Sequence, residues 1–215
     1  MAEERKPIAL YGDQTPNLAS VQILLKELGL AHATCKAPAG ADERLEYLAV
    51  NPHGGTVCIQ DPNTATVLGE MGAVFEYLVS NYDKEHRIIF RRGTPEFWLA
   101  KQWLCFQVSA QGPLYALAEQ ETSSSSSIAA HYAPEINRVT AVLEAQLTRQ
   151  EQRHPGGDGP WIVGDKMSFV DLSLVAWQRQ LGTILERNEY DETSFPRVKS
   201  WLDRLAARPS VQAVL

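Results

Sequence analysis

The sequence predicts a chain in two parts, a small α/β unit followed by a unit built only of helices. Three observations predict it. Short apolar runs of strand character are confined to the first third of the chain, apolar residues at three- and four-residue spacing fill the remainder, and a charged stretch without periodicity separates the two. With 215 residues, 44% hydrophobic and 21% charged, the chain has globular composition and can bury enough apolar surface to fold without disulfide or metal staples.

The run Ile8-Ala9-Leu10-Tyr11, closed by Gly12-Asp13, reads as a buried strand and a turn, which makes Tyr11 a core residue. After Thr15-Pro16-Asn17, residues Val21, Leu24, Leu25 and Leu28 share one helical face, and Gly29 supplies the C-terminal stop. Ala31 to Lys36 is a second strand, Pro38-Ala39-Gly40 breaks it, and Glu43 to Val50 has helical composition up to Asn51-Pro52-His53-Gly54-Gly55. Thr56 to Gln60 alternates as a strand, Asp61-Pro62-Asn63 turns, and Thr66-Val67-Leu68 returns antiparallel. The helix Met71 to Tyr82 completes the order β-α-β-α-β-β-α.

This sets the α/β unit at 1–83, a linker at 84–93 that carries Arg91-Arg92-Gly93, and an all-helical unit at 94–215. Helical spacing runs through Glu96 to Ala118, Ala129 to Arg153, Ser168 to Leu185 and Pro196 to Ala206. The polar run Thr122 to Ser127 buries nothing and is expected to be a flexible loop. Ser168 followed three residues on by Asp171 is a variant of the capping box, with Met167 and Leu172 placed as its hydrophobic staple, so it fixes where a buried helix starts.

The net charge of −6 opposes attraction to phosphate backbones and anionic lipid, so neither nucleic acid nor membrane is an expected partner. No apolar run approaches the roughly 18 residues that span a bilayer, and the start Met-Ala-Glu-Glu-Arg-Lys is charged, which suggests a cytoplasmic protein. Cys35, Cys58 and Cys105 form no close pair and read as small buried apolar residues. The histidines do not cluster, and no metal is expected.

The stretch Trp161-Ile162-Val163-Gly164-Asp165-Lys166-Met167-Ser168-Phe169-Val170-Asp171 closely resembles the buried capping motif of the cytosolic glutathione transferase family. Leu25-Lys26-Glu27-Leu28-Gly29-Leu30, Val50-Asn51-Pro52-His53-Gly54, Glu70-Met71-Gly72-Ala73-Val74 and the ending Trp201 to Pro209 follow in family order, so the resemblance covers nearly the whole chain. Trp103-Leu104-Cys105-Phe106-Gln107-Val108-Ser109 with Gly112-Pro113 is similar to the fungal branch related to the yeast nitrogen-catabolite regulator. The resemblance implies a thioredoxin-like first domain, a C-terminal helical domain, a homodimer, and glutathione as cosubstrate.

It also implies site residues. A thiol is a poor nucleophile until ionised, so a donor that stabilises the thiolate raises its reactivity. Asn17, at the start of the first helix, matches the fungal branch's sulfur contact, although by composition alone it reads as a helix cap. Thr15 is a weaker alternative donor. Glu70 matches the carboxylate that holds the γ-glutamyl ammonium, and Thr56 the residue whose backbone pairs with the cysteinyl unit. Trp103, Phe106, Gln107 and Tyr115 are candidates for an apolar acceptor pocket, although aromatic residues at this spacing are more often core.

Gly55 lacks the basic side chain of many relatives, Asp42 stands roughly where some carry a His or Gln ligand, and two further departures from the family pattern bear directly on glutathione. Val57 stands where a cis proline is usual, and Met71 stands where a serine binds the γ-glutamyl carboxylate with a hydroxyl that a thioether lacks. A cis bond before a non-proline costs about 2.5–4 kcal/mol, so this loop is either reshaped or strained. Three functions stay open. The first is thiol addition to an electrophilic apolar substrate, with fungal secondary metabolism as a setting. The second is glutathione-dependent cis-trans isomerisation of an activated double bond, by reversible addition. The third is a non-enzymatic binding or regulatory protein that keeps the fold.

Overall fold

The computed structural model describes residues 5–36, 47–55, 57–122, 126–186 and 189–215. Four short strands form one mixed sheet: β1 (Ile8–Tyr11), β2 (His32–Cys35), β3 (Cys58–Asp61) and β4 (Thr66–Gly69), in the order β2-β1-β3-β4. β1 runs parallel to β2, with Ile8 opposite His32, and antiparallel to β3, with Leu10 opposite Ile59. The hairpin sets Ile59 against Leu68. The parallel β1–β2 pair needs a crossover, which α1 (Pro16–Glu27) provides, and α2 (Met71–Tyr82) follows the hairpin. This is the thioredoxin-like plan that the sequence predicts. Residues 47–50 are helical, and the rest of the expected second helix lies outside the described residues.

Beyond Gly69 the described residues contain no strand. α3 (Pro95–Phe106) passes through a π-helical segment, Gln107–Gln111, into α4 (Gly112–Thr122), so the single predicted helix has a widened turn in its middle. α5 (Ser126–Arg153), α6 (Phe169–Ile184), α7 (Pro196–Ala206) and α8 (Pro209–Gln212) complete the helical C-terminal domain. Of the expected serine loop, Ser123 to Ser125 lie outside the described residues, whereas Ser126 and Ser127 already belong to α5.

The stretch between the two parts is no free tether. Ile88, Ile89 and Phe90 are buried among its charges. The Asp83 carboxylate accepts the backbone N–H groups of Arg87, Ile88 and Ile89 at 2.9, 2.7 and 2.9 Å, and Phe169 N–H bonds the Ile88 carbonyl at 3.0 Å. Three successive donors ending on one carboxylate fix the shape of this part of the stretch, and the Phe169 bond clamps the start of α6 to the α/β part.

α6 is the central helix, buried along most of its length. Its N-terminus is held as the capping motif predicts. The Asp171 carboxylate accepts the Ser168 backbone N–H at 2.9 Å, the Ser168 hydroxyl at 3.0 Å, the Ile162 N–H at 3.0 Å and the Trp201 indole N–H at 2.9 Å. α6 packs on α1 across the two parts, where Ser20 Oγ donates to the Ser173 carbonyl at 3.4 Å. The chain end adds a second tie, since Arg208 and Ser210 both bond Glu27 at the end of α1.

The three cysteines are not alike. Cys58 is buried in β3 as expected, Cys35 is half-exposed on the edge strand β2, and Cys105 is exposed on the outer face of α3. The expectation of burial fails for Cys105 because its neighbours Trp103 and Leu104 take the inward face. Among the described residues no group of His, Cys, Asp or Glu is arranged to hold a metal, and no helix is long and apolar enough to cross a membrane.

Candidate functional site

The start of α1 is set by three adjacent residues. Thr15 is the N-cap, its Oγ1 accepting the Leu18 N–H at 3.3 Å, and Pro16 takes the first helical position, where a missing N–H costs nothing. The oxygen of the Thr15 hydroxyl is thereby engaged and the capping role is filled, while its O–H proton is not used in this bond. Asn17 is therefore not the cap. It stands half-buried in the first turn, and its Oδ1 accepts the indole N–H of Trp177 from α6 at 2.8 Å. The Asn17 amide nitrogen makes no hydrogen bond among the described residues.

The turn before α1 brings this helix start against the β3 edge. A Cβ on Gly12 would lie 2.8 Å from Leu18 Cδ1 and 3.3 Å from the Val57 backbone nitrogen, so only glycine lets the two segments approach so closely. Val57 is buried, with φ of +82°. That conformation is rare for a β-branched residue and costs about 1–3 kcal/mol. The reshaped loop anticipated at the missing proline is thus strained at Val57 itself. Thr56 lies outside the described residues.

Val57 borders a cavity of about 270 Å³ shared with Asn51, His53, Gly55 and Glu70. Two side chains hold the loop at Gly55. Asn51 Nδ2 donates to the Gly55 carbonyl at 2.9 Å, and the Tyr47 hydroxyl donates to the same carbonyl at 2.8 Å. Burial pushes the Tyr47 hydroxyl's ionisation up, so it stays a donor. Glu70 is exposed and is the second non-glycine residue of this cavity at positive φ, +65°. It precedes α2 without capping it through its side chain. The first N–H groups of α2, from Met71 onward, therefore point out of the helix without intrahelical partners, with the positive end of the helix dipole behind them.

The side chain of Met71 is buried in the core and leaves only its backbone to this edge. Across from it, a Cβ on Gly72 would meet Val108 Cγ1 at 3.5 Å, so the π-helical segment faces the start of α2. Val108 is 39% exposed there, and the sequence reading left it out.

The four residues proposed for an acceptor pocket do not come together as a lining. Trp103, Gln107 and Tyr115 are all buried, and Phe106, half-buried, packs edge-on against Trp103 with ring centroids 5.1 Å apart. Tyr115 is core. Its hydroxyl bonds Thr140 Oγ1 at 3.1 Å and Gln178 Oε1 at 3.2 Å, and burial drives its ionisation far up. Tyr11, expected in the core, is only half-buried and donates to Gln60 Oε1 at 3.0 Å.

A larger cavity of about 540 Å³ lies between the end of α6, the 3-10 turn Glu192–Ser194 and α7. Its wall mixes both signs of charge, and Lys199 there pairs with Glu192 at 3.3 Å. It includes neither Asn17 nor the strained edge.

Comparison with known proteins gives the family. The glutathione S-transferase C-terminal domain family matches residues 112–215. The glutathione S-transferase-like protein tpcF of Aspergillus fumigatus is 45% identical over 212 residues, covering 96% of this chain and 94% of that protein. The chain belongs to the glutathione S-transferase family. A glutathione transferase homologue from Lodderomyces elongisporus, solved with two glutathione molecules per subunit, matches with a TM-score of 0.84 at 31% identity over 96% of both chains. Ure2p in complex with glutathione matches with a TM-score of 0.84 at 26% identity, over 99% of this chain and 100% of that one. The resemblance to the fungal branch of the yeast nitrogen regulator is borne out.

Sequence reasoning missed Trp177. One signal was available: a tryptophan in an otherwise aliphatic helix face must find an acceptor for its N–H if it is buried, and the polar residues of α1 were candidates.

Proposed function

We propose that this chain is a glutathione S-transferase-like enzyme that stabilises the glutathione thiolate with Asn17 and delivers it to an electrophilic apolar substrate. The observation that carries the reading is the Asn17 amide in the first turn of α1, its oxygen engaged by Trp177 and its nitrogen without a hydrogen bond among the described residues. Two N–H donors at a helix N-terminus favour an anion, so a thiol there ionises more readily than the few per cent expected near neutral pH from a free pKa near 8.5. The thiol proton leaves to solvent, the sulfur lone pair forms the new bond to carbon, and the substrate's π pair moves onto its activating group before a proton from solvent completes the addition; with chlorodinitrobenzene the pair returns to expel chloride.

The remaining contacts follow from the same edge. The backbone N–H groups at the start of α2 suit the γ-glutamyl carboxylate, which makes the loss of the serine hydroxyl at Met71 a weakening rather than an abolition. The Glu70 carboxylate, exposed at the same cavity, suits the ammonium, and Val57 borders that cavity where the family pattern assigns the cysteinyl backbone to Thr56 and Val57. Val108 and Phe106 are the apolar groups closest to serving the acceptor. Fungal secondary metabolism and a cytoplasmic homodimer remain part of this proposal.

Calorimetric titration tests the reading, with binding expected at millimolar glutathione or below. No heat at millimolar ligand sinks the enzyme and leaves the non-enzymatic alternative. Asn17→Ala is expected to lower turnover with chlorodinitrobenzene by about a hundredfold to a thousandfold, the scale for losing one donor to a developing anion. Unchanged turnover removes Asn17 from the chemistry.

A further inference from the structure

An asparagine side chain can present either its oxygen or its NH₂ to a ligand, and the two ends have opposite effects on a thiolate. The NH₂ end stabilises the anion and the oxygen repels it. What decides the orientation is the rest of the hydrogen-bond network. Among the described residues the amide has one partner, the Trp177 indole, and an indole nitrogen is donor only. An N–H at 2.8 Å must face the oxygen of Asn17, so the NH₂ is left for the site.

The indole is itself held. Trp177 is 2% exposed, and its ring stands edge-on to Tyr115 at a centroid distance of 6.4 Å and an interplanar angle of 86°. A Cβ on Gly112 would lie at ordinary contact distance, 3.6 Å, from Trp177 Nε1 but at a tight 3.2 Å from Gln107 Nε2, so the glycine after the π-helical turn chiefly leaves room for Gln107 beside the indole. The Tyr115 hydroxyl is in turn fixed by Gln178 and Thr140. α6 starts at the buried Asp171 cap, which sets the position of the helix that carries Trp177.

We infer that Trp177 is a positioning residue of the thiol site: it locks the Asn17 amide so that its NH₂, and never its oxygen, meets the sulfur. The role of Asn17 assumed here is that of the proposed function. Trp177 touches no reacting atom, and the helical domain thus completes the thiol site of the thioredoxin-like domain without contacting glutathione sulfur.

The test replaces the N–H while keeping the ring, by Trp177→Phe and by site-specific incorporation of benzothienylalanine at position 177, which preserves the indole shape with sulfur in place of N–H. In the full chain, the pKa of bound glutathione thiol is read from thiolate absorbance against pH, together with kcat for chlorodinitrobenzene and the Kd for glutathione. The bound thiol pKa should rise by about one unit and kcat fall by about tenfold, with Kd within about twofold. An unchanged thiol pKa and kcat in the folded isostere overturns the role of Trp177. If Asn17→Ala raises the thiol pKa and the isostere does not, only the Trp177 inference falls. If neither variant moves it, the Asn17 reading falls as well. A measurement without ligand stands apart from both: the Trp177 indole N–H resonance should shift and exchange faster in Asn17→Ala, and an unchanged signal refutes the lock itself.

Discussion

The corner at Asp171 and the edge from Val57 to Glu70 treat backbone and polar groups in opposite ways. At the corner a fully buried carboxylate accepts four donors from Ile162, Ser168 and Trp201. At the edge two non-glycine residues sit at positive φ, the first N–H groups of α2 have no intrahelical partners, and the Asn17 amide nitrogen makes no hydrogen bond among the described residues. A satisfied network stabilises and has nothing left to offer a ligand, whereas strained backbone with open donors costs stability and can bind. The same fold therefore separates the place that holds the molecule together from the place suited to chemistry.

The largest effect expected is at the corner. Asp171→Ala leaves buried donors unpaired, each costing about 1–3 kcal/mol, so stability measured by urea denaturation should fall by about 3 kcal/mol or more. A loss comparable to that of an exposed substitution breaks the comparison.

Val57→Pro sharpens it from the other side. Proline returns the residue usual in the family but fixes φ near −65°, against the observed +82°. A loss of more than about 1 kcal/mol, with weaker glutathione binding by calorimetry, is expected. A gain would mean that the loop accepts the family's path and that the strain at Val57 has no function.

The smallest effect is expected where α2 meets the sheet. Asp61, at the end of β3, accepts the hydroxyls of Tyr77 at 2.7 Å and of Tyr82, which tie α2 to the sheet. Burial pushes its carboxyl up, but hydrogen bonds from Tyr82, Tyr77 and Asn63 outweigh it and hold the ionisation below the usual range. A folded pKa below the unfolded one gives stability that is present above about pH 4 and lost as pH falls through the folded value. Tyr82→Phe should cost about 1–2 kcal/mol at pH 7, and the gap to the parent should close in acid, as followed by denaturation across pH.

Much of this was legible in the chain. Periodicity marked α2 and α7, with bounds at Met71–Tyr82 and Pro196–Ala206 that match the prediction, because apolar spacing and punctuation by proline report local geometry directly. The capping motif was legible for the same reason, since its partners lie three residues apart. The pocket residues were not. Trp103, Gln107 and Tyr115 carry the right chemistry at helical spacing, yet spacing tells which residues share a face and not what that face meets.

The sequence by itself determined the two-part order of elements, the family and the cap that starts α6, all of which depend on neighbours within a few residues or on a pattern sustained along the chain. Only the tertiary structure decided that Thr15 rather than Asn17 caps α1, that Ile88 to Phe90 are buried in the connecting stretch, and that Trp177 reaches Asn17 across 160 positions of sequence. Hydrogen bonds between distant segments depend on how α6 packs against α1, and no local spacing encodes that packing.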